Sequence, residues 1–229
     1  MIFAAGFGRR LEGMTARTPK PLVRVGGHAL IDHALAVAEH AGISRIVVNL
    51  HYRAEAIANH LSGRSGVEFS REFPDILDTG GGLLAALPLL GPEPVFTLNS
   101  DSVWSGRNPF IELGAAWPDF GAGALLLLCP PEQAQGHPGG GDFVLDPDDG
   151  RVRRCRADEH GLVYTGAQVI RTDGLSGHRQ RVFSLNQEWD RLVAEGRLFG
   201  IVHDGEWADA GNPAGLLAAS RLAERAVRT

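Results

Sequence analysis

Cysteine is scarce: Cys129 and Cys155 are the two in the chain, and neither belongs to a Cys-x-x-Cys pair. That excludes the common redox motif and the common zinc site, and it fits a chain kept in a reducing compartment. Long apolar runs are missing as well. The longest unbroken one is Ala124–Cys129, far short of the ~20 residues a membrane-spanning helix needs. The opening Met1-Ile2-Phe3-Ala4-Ala5-Gly6 has no basic stretch and no long apolar core, so no signal peptide is expected and the cytosol is the expected location. Basic blocks are absent too. Lys and Arg number 22 against 27 Asp and Glu, a net charge of −5. A general nucleic-acid binder needs clustered cations for its phosphate contacts, so neither nucleic acid nor membrane is expected as a partner.

What is present is the balance of an ordinary globular protein: 44% hydrophobic and 21% charged residues over 229 positions. Glycine is in excess, with 30 residues and two triplets, Gly80-Gly81-Gly82 and Gly139-Gly140-Gly141. Strand-length apolar runs alternate with helix-period segments in the first half. Strands are expected over residues 1–5, 43–50, 67–71, 94–98 and 124–128. Helices are expected through Leu30, Ala34, Ala38 and Ala41, stopped by Gly42, and through Ala54, Ile57, Ala58 and Leu61. That βαβα order predicts an α/β fold with a mostly parallel central sheet flanked by helices.

The second half is less regular. Pro147-Asp148-Asp149-Gly150 predicts a hairpin joining 143–145 to 152–154. A strand broken by Gly166 is expected over 163–170, and a late strand over 198–203. Ser184-Leu185-Asn186-Gln187 reads as a capping box before Trp189 and Leu192, and Asn212-Pro213 as the start of a last helix reaching about Arg228. Residues 101–108 and 130–141 read as loops rimming a site. The four tryptophans are too scattered for a stacking platform and are expected in packing roles.

The strongest chemical signal lies at the start. Ala4-Ala5-Gly6-Phe7-Gly8-Arg9-Arg10-Leu11 empties a strand into Gly-x-Gly, and Thr18-Pro19-Lys20-Pro21 follows. Bare backbone N–H groups beside two arginines suit an anion, and two prolines stiffen the backbone that carries the Lys20 ammonium. Neither the dinucleotide fingerprint nor the P-loop has this spacing. Asn99-Ser100-Asp101 follows a buried strand, where open α/β sheets place ligands, and a carboxylate there suits Mg²⁺ held against phosphates. A plain strand-end turn fits the same three residues.

These blocks, with Asp78-Thr79-Gly80-Gly81-Gly82, Gly141-Asp142-Phe143, Tyr164-Thr165-Gly166 and Trp207-Ala208-Asp209-Ala210-Gly211, resemble the sugar-1-phosphate nucleotidylyltransferases nearly end to end. The middle blocks are similar to the branch that uridylylates N-acetylmuramate 1-phosphate in peptidoglycan recycling. The resemblance implies a Rossmann-like, mixed, mostly parallel sheet of the nucleotide-diphospho-sugar transferase type. It implies one domain, with a nucleotide-binding part near 1–105 and a sugar-binding part near 106–229. Lys20 and Arg10 are then the catalytic residues. Ala5, Gly6, Phe7, Gly8, Arg9, Arg10, Lys20, Thr79 and Gly80 bind nucleotide, and the N–H groups of the Thr79-Gly80-Gly81-Gly82 loop are expected free for a base or ribose. Asp101 and Asp209 hold Mg²⁺. Asn99, Asp142 and Glu159 face the sugar. The 136–141 loop offers room for a lactyl group, and Arg153, Arg154 or Arg156 a cation for its carboxylate.

The expected partners are UTP and a sugar 1-phosphate, and the expected state is a monomer or weak dimer. Two departures from the family pattern are Asp78, where this branch more often has Glu, and Ser100, where glycine is common. Guanylyl transfer to mannose 1-phosphate is the near alternative. A non-catalytic nucleotide-sugar sensor is the distant one, disfavoured by intact Lys20, Arg10, Asp101 and Asp209.

Overall fold

A computed structural model describes residues 1–11, 13, 18–92, 94–117 and 121–226. The chain opens with β1 (Ile2–Phe3), a short hairpin of β2 (Arg24–Val25) and β3 (His28–Ala29), and α1 (Leu30–His40). Then come β4 (Ile46–Leu50), α2 (Ala54–His60), β5 (Val67–Arg71), α3 (Asp78–Leu90), β6 (Val95–Asn99), β7 (Ser102–Trp104) and α4 (Pro109–Ala116). The second half runs β8 (Ala124–Cys129), β9 (Ala134–Gln135), β10 (Phe143–Leu145), β11 (Val152–Arg154), β12 (Val163–Ile170), α5 (Leu185–Ala194), β13 (Leu198–Val202), β14 (Trp207–Asp209) and α6 (Pro213–Ala226).

Seven strands form the main sheet in the order β13-β8-β12-β6-β1-β4-β5. The pairs β1/β4, β1/β6, β4/β5 and β8/β13 are parallel, and β12 alone runs antiparallel to both its neighbours. The mixed, mostly parallel sheet expected from the sequence is present. Leu125 and Leu127 pack on one face with Ala34, Leu35 and Phe110, while Leu126 and Leu128 pack on the other with Leu83, Phe183 and Trp189. A strand buried on both faces reads as the continuous apolar run that β8 shows. No helix among the described residues is long and apolar enough to cross a membrane.

Several boundaries move, for local reasons. The first strand stops at Phe3 because the Ala4 N–H donates to the Asn49 side-chain oxygen at 2.8 Å instead of to a neighbouring strand. The break expected at Gly166 is a bulge where the β8/β12 register shifts between Tyr164 and Gln168. Gly166 has φ of +84°, and a Cβ there would lie 2.6 Å from the Asn99 amide nitrogen. Ser184 does cap α5, accepting the Asn186 N–H at 3.2 Å, rather than making the reciprocal box with Gln187. Asn212 accepts the Gly215 N–H at 2.9 Å at the start of α6. The expected end of that helix near Arg228 falls outside the described residues.

The 101–108 segment is not simply a rim loop. It contains β7, which pairs antiparallel with β14, and β14 pairs parallel with β9 from the other expected loop. These strands are two and three residues long and carry no periodicity to read, so the small sheet exists through its tertiary partners alone.

Candidate active site

The site lies at the carboxyl ends of β1, β4 and β6, where a parallel sheet leaves a crevice. A cavity of about 360 Å³ is lined there by Ala5, Gly6, Gly8, Arg9, Arg10, Lys20, Asp78, Thr79, Asn99 and Asp101, among others. Gly8 has φ of +66°, a conformation that favours glycine whatever the ligand. Gly6 differs: its φ is ordinary and a Cβ there would meet nothing within 4 Å. The fold alone does not demand glycine at position 6, and its bare face looks into the cavity.

Phe7 is a correction. It does not line the cavity; its ring turns onto His51 and Tyr52, with centroids 5.6 and 5.5 Å away, and the Arg9 guanidinium lies over it at 5.2 Å.

Lys20 begins a short 3-10 turn after Pro19, and its ammonium is hydrogen-bonded to the Asp101 carboxylate. Arg10 Nη1 stands 3.8 Å from Asp209 Oδ2. The two carboxylates meet because β7 pairs with β14. Ser102 lies opposite Asp209, and the Ala210 N–H donates to the Asp101 carbonyl at 2.9 Å. Burial pushes the Asp209 carboxyl above the usual carboxylate range and the Asp101 charge adds to the shift, while Lys20, Arg10 and the Gly211 N–H oppose it. Gly211 leaves the space between these groups: a Cβ there would lie 2.7 Å from Asp209 Oδ1 and 2.8 Å from Arg10 Nη2. Lys20, Arg10, Asp101 and Asp209 thus form one cluster of alternating charge at the mouth of the glycine loop.

Gly80 is a second correction. The N–H groups of Gly80 and Gly81 are not free; both donate to the Phe183 carbonyl at 3.0 Å. Each glycine of the triplet admits a neighbour instead. A Cβ at Gly80 would strike the Phe183 ring at 2.3 Å, at Gly81 the Arg181 carbonyl oxygen at 2.3 Å, and at Gly82 the Glu72 carboxylate at 2.7 Å. Asp78, with φ of +60°, accepts the Thr79 N–H at 2.6 Å, and the Thr79 hydroxyl accepts the Leu185 N–H at 2.9 Å.

Two polar residues of the cavity wall were missed in the sequence. Asn49 donates to Glu72 at 2.7 Å while holding the Ala4 N–H, and the other Glu72 oxygen accepts the Leu77 N–H at 2.7 Å. Both are buried at strand ends. Isolated Asn and Glu residues in the sequence carry no signal for this.

A second compartment of about 280 Å³ shares Phe3, Asp78, Thr79 and Asn99 with the first and adds Asp142, Phe143, Arg154, Tyr164 and Trp189. Asn99 and Asp142 therefore reach the site, and Asp142 Oδ2 accepts the Tyr164 N–H at 2.8 Å. Trp189, expected only in packing, also forms part of this wall, 4.8 Å from Tyr164 ring to ring. Glu159 lines neither compartment, which corrects its expected sugar-side place. It is chelated by Arg153 at 2.7 and 2.9 Å and accepts the Arg156 N–H at 3.0 Å, which holds its carboxyl down at about 2. The 136–141 loop is likewise elsewhere: Gly136, His137 and Pro138 line a separate hollow beside Arg10.

A glycine loop at the end of the first strand, beside this cluster on a sheet of this topology, defines the class of nucleotidyltransferases. The chain belongs to the family described as MobA-like NTP transferase domain, matched over residues 1–148, and within it to the sugar-1-phosphate nucleotidyltransferases. It is 38% identical over 234 residues to the N-acetylmuramate alpha-1-phosphate uridylyltransferase of Caulobacter vibrioides, covering 98% of this chain and 96% of that one. A mannose-1-phosphate guanyltransferase of Aspergillus oryzae is 28% identical, over 97% of this chain and 63% of its own length. Among solved structures, HddC from Yersinia pseudotuberculosis superposes with a TM-score of 0.77 at 20% identity, over 96% of each chain, a likeness of fold.

Proposed function

We propose that the chain transfers a uridylyl group from UTP to N-acetylmuramate 1-phosphate, giving the UDP-sugar and pyrophosphate, in the cytosol. The observation that carries this reading is the cluster of Lys20, Arg10, Asp101 and Asp209 at the mouth of the glycine loop. Similarity to the Caulobacter relative supports the choice of base and sugar. The nucleotide occupies the first compartment, built mostly from residues before 105. The sugar occupies the second, which draws on Asp142 and residues beyond it.

The sugar phosphate oxygen attacks the α-phosphorus in line and pyrophosphate departs on the far side. The attacking phosphate is already ionised at neutral pH, so the site needs no general base. Catalysis is then positioning and charge neutralisation. Lys20 leaves Asp101 for the α-phosphate and steadies the charge that grows there. Arg10, with the amides near Gly6 and Gly8, holds the β- and γ-phosphates. Gly6 lets the triphosphate approach the backbone closely. Asn99 donates to and accepts from sugar hydroxyls and the N-acetyl group, and Asp142 accepts from sugar hydroxyls.

Asp101 and Asp209 fit a divalent cation. Asp209, whose carboxyl is raised by burial and by the neighbouring Asp101 charge, is relieved by a bound 2+ ion, and Mg²⁺ is commonly held by one or two carboxylates together with phosphate oxygens. Bound there, Mg²⁺ neutralises charge on the triphosphate.

A pyrophosphate-release screen of the four nucleotides against several sugar 1-phosphates tests the proposal. UTP with N-acetylmuramate 1-phosphate is the expected best pair. Guanylyl transfer to mannose 1-phosphate is the second reading, favoured by the 28% identity with the Aspergillus protein, and GTP with mannose 1-phosphate as the best pair would establish it.

A further inference from the structure

The second compartment is lined by Asp78 and Asp142 and by one cation, Arg154. The neighbouring arginines are committed elsewhere: Arg153 to the Glu159 carboxylate at 2.7 and 2.9 Å, and Arg151 to the Gly196 carbonyl at 2.9 Å and to Asp149. Arg154 is held from two sides. Its Nε donates to Asp190 at 2.7 Å, and its Nη2 donates to the Asn186 side-chain oxygen at 2.9 Å and the Asn186 carbonyl at 3.2 Å. Its guanidinium lies over the rings of Phe143, at 4.7 Å, and Trp189, at 5.7 Å. Nη1 has no hydrogen-bond partner among the described residues.

We infer that Arg154 is the specificity residue for the sugar, taking through Nη1 a carboxylate carried by the substrate's side group. This rests on the proposed reading of the substrate, since N-acetylmuramate differs from N-acetylglucosamine by a lactyl ether that ends in a carboxylate. A guanidinium fixed by Asp190 and Asn186 loses little freedom on binding, and a planar donor set suits a carboxylate better than a mobile ammonium does. The aromatic floor of Phe143 and Trp189 excludes water beside that contact and offers an apolar surface to the lactyl methyl. Asp142 Oδ2 accepts the Tyr164 N–H at 2.8 Å, a contact that offsets part of the negative charge an incoming carboxylate meets.

The test measures kcat/KM with UTP for N-acetylmuramate 1-phosphate and for N-acetylglucosamine 1-phosphate, which differ only in the lactyl ether. In Arg154→Met the first value falls on the order of tenfold or more, mainly through KM, while the second stays within about twofold. Arg154→Lys, which keeps a cation, retains part of the discrimination. Asp190→Asn, which loosens the hold on the guanidinium and leaves its charge, weakens the preference for the muramate sugar less than Arg154→Met does. Equal losses on both sugars in Arg154→Met would show that Arg154 only braces the wall and overturn this inference alone. A wild-type enzyme that refuses N-acetylmuramate 1-phosphate and turns over an uncharged sugar phosphate overturns the substrate reading as well.

Discussion

The Ala210 N–H donates to the Asp101 carbonyl at 2.9 Å, tying the loop after β6 to the residue that follows Asp209. With Ser102 paired opposite Asp209, this backbone contact sets two carboxylates side by side that are far apart in the chain. Burial first, and the neighbouring Asp101 charge after it, hold the Asp209 carboxyl above the usual carboxylate range.

Removing either charge should therefore separate catalysis from folding. Asp101→Asn and Asp209→Asn are expected to lose on the order of 10²-fold or more in Mg²⁺-dependent turnover. Both variants should fold, because each Asn keeps the size of the Asp it replaces and lowers the repulsion. Wild-type protein should gain Tm with millimolar Mg²⁺ and UTP, and neither variant should show the full gain. Near wild-type rates at limiting Mg²⁺ would remove these residues from a metal site.

Lys20 and Arg10 should fail in different ways. An ammonium at the reacting phosphate acts most strongly in the transition state, so Lys20→Ala should lower kcat by about 10²–10³ with a smaller change in the KM for UTP. Arg10 contacts the triphosphate before and during reaction, so Arg10→Ala should raise KM and lower kcat together. Steady-state kinetics that show only equal KM effects for both would contradict this division.

Two glycines should respond oppositely to an added methyl. Gly80→Ala drives a Cβ to 2.3 Å from the buried Phe183 ring, a clash of the overpacking kind that costs about 1–3 kcal/mol. Gly6→Ala meets nothing within 4 Å in the protein, so its Tm should hold while UTP binding weakens. Thermal melts alongside UTP titrations check the pair, and a loss of UTP binding at Gly80 with no loss of stability would restore that residue to the nucleotide site.

Glu159→Gln should leave kcat/KM for the sugar phosphate unchanged, since Glu159 faces Arg153 rather than either compartment. Its effect belongs to acid stability. The folded pKa of about 2 lies below the ordinary glutamate value of 4.5, so the Arg153 contact contributes above pH 4.5 and is lost as pH falls toward 2. Wild type and variant should differ in Tm above that window and converge within it. A sugar-dependent rise in KM would return Glu159 to the substrate site.

The parts of the site legible in the sequence are those whose chemistry is local. Gly8 is written by a positive φ, Lys20 by the prolines on either side, and the main strands by apolar runs whose burial on both faces leaves no alternative. Asn49 and Glu72 were not legible, because a buried polar residue at a strand end looks in sequence like any exposed one. The glycine triplet misled for a related reason. Glycine marks a place where something comes close, and the sequence does not say whether the visitor is a ligand or, as at Gly80, the ring of Phe183.

The sequence by itself determined the sheet, the glycine loop and the identities of the charged residues, through periodicity and backbone preference acting over a few neighbouring positions. Only the tertiary structure decided which of those charges meet. The β7/β14 pairing joins Asp101 to Asp209, and the reversed β12 brings Tyr164 and Asp142 to the end of β6 beside Asn99. The side chains of Asp190 and Asn186 turn Arg154, and not Arg153, toward the second compartment. Such contacts join residues distant in the chain, and their free energy comes from packing that no short window of sequence contains.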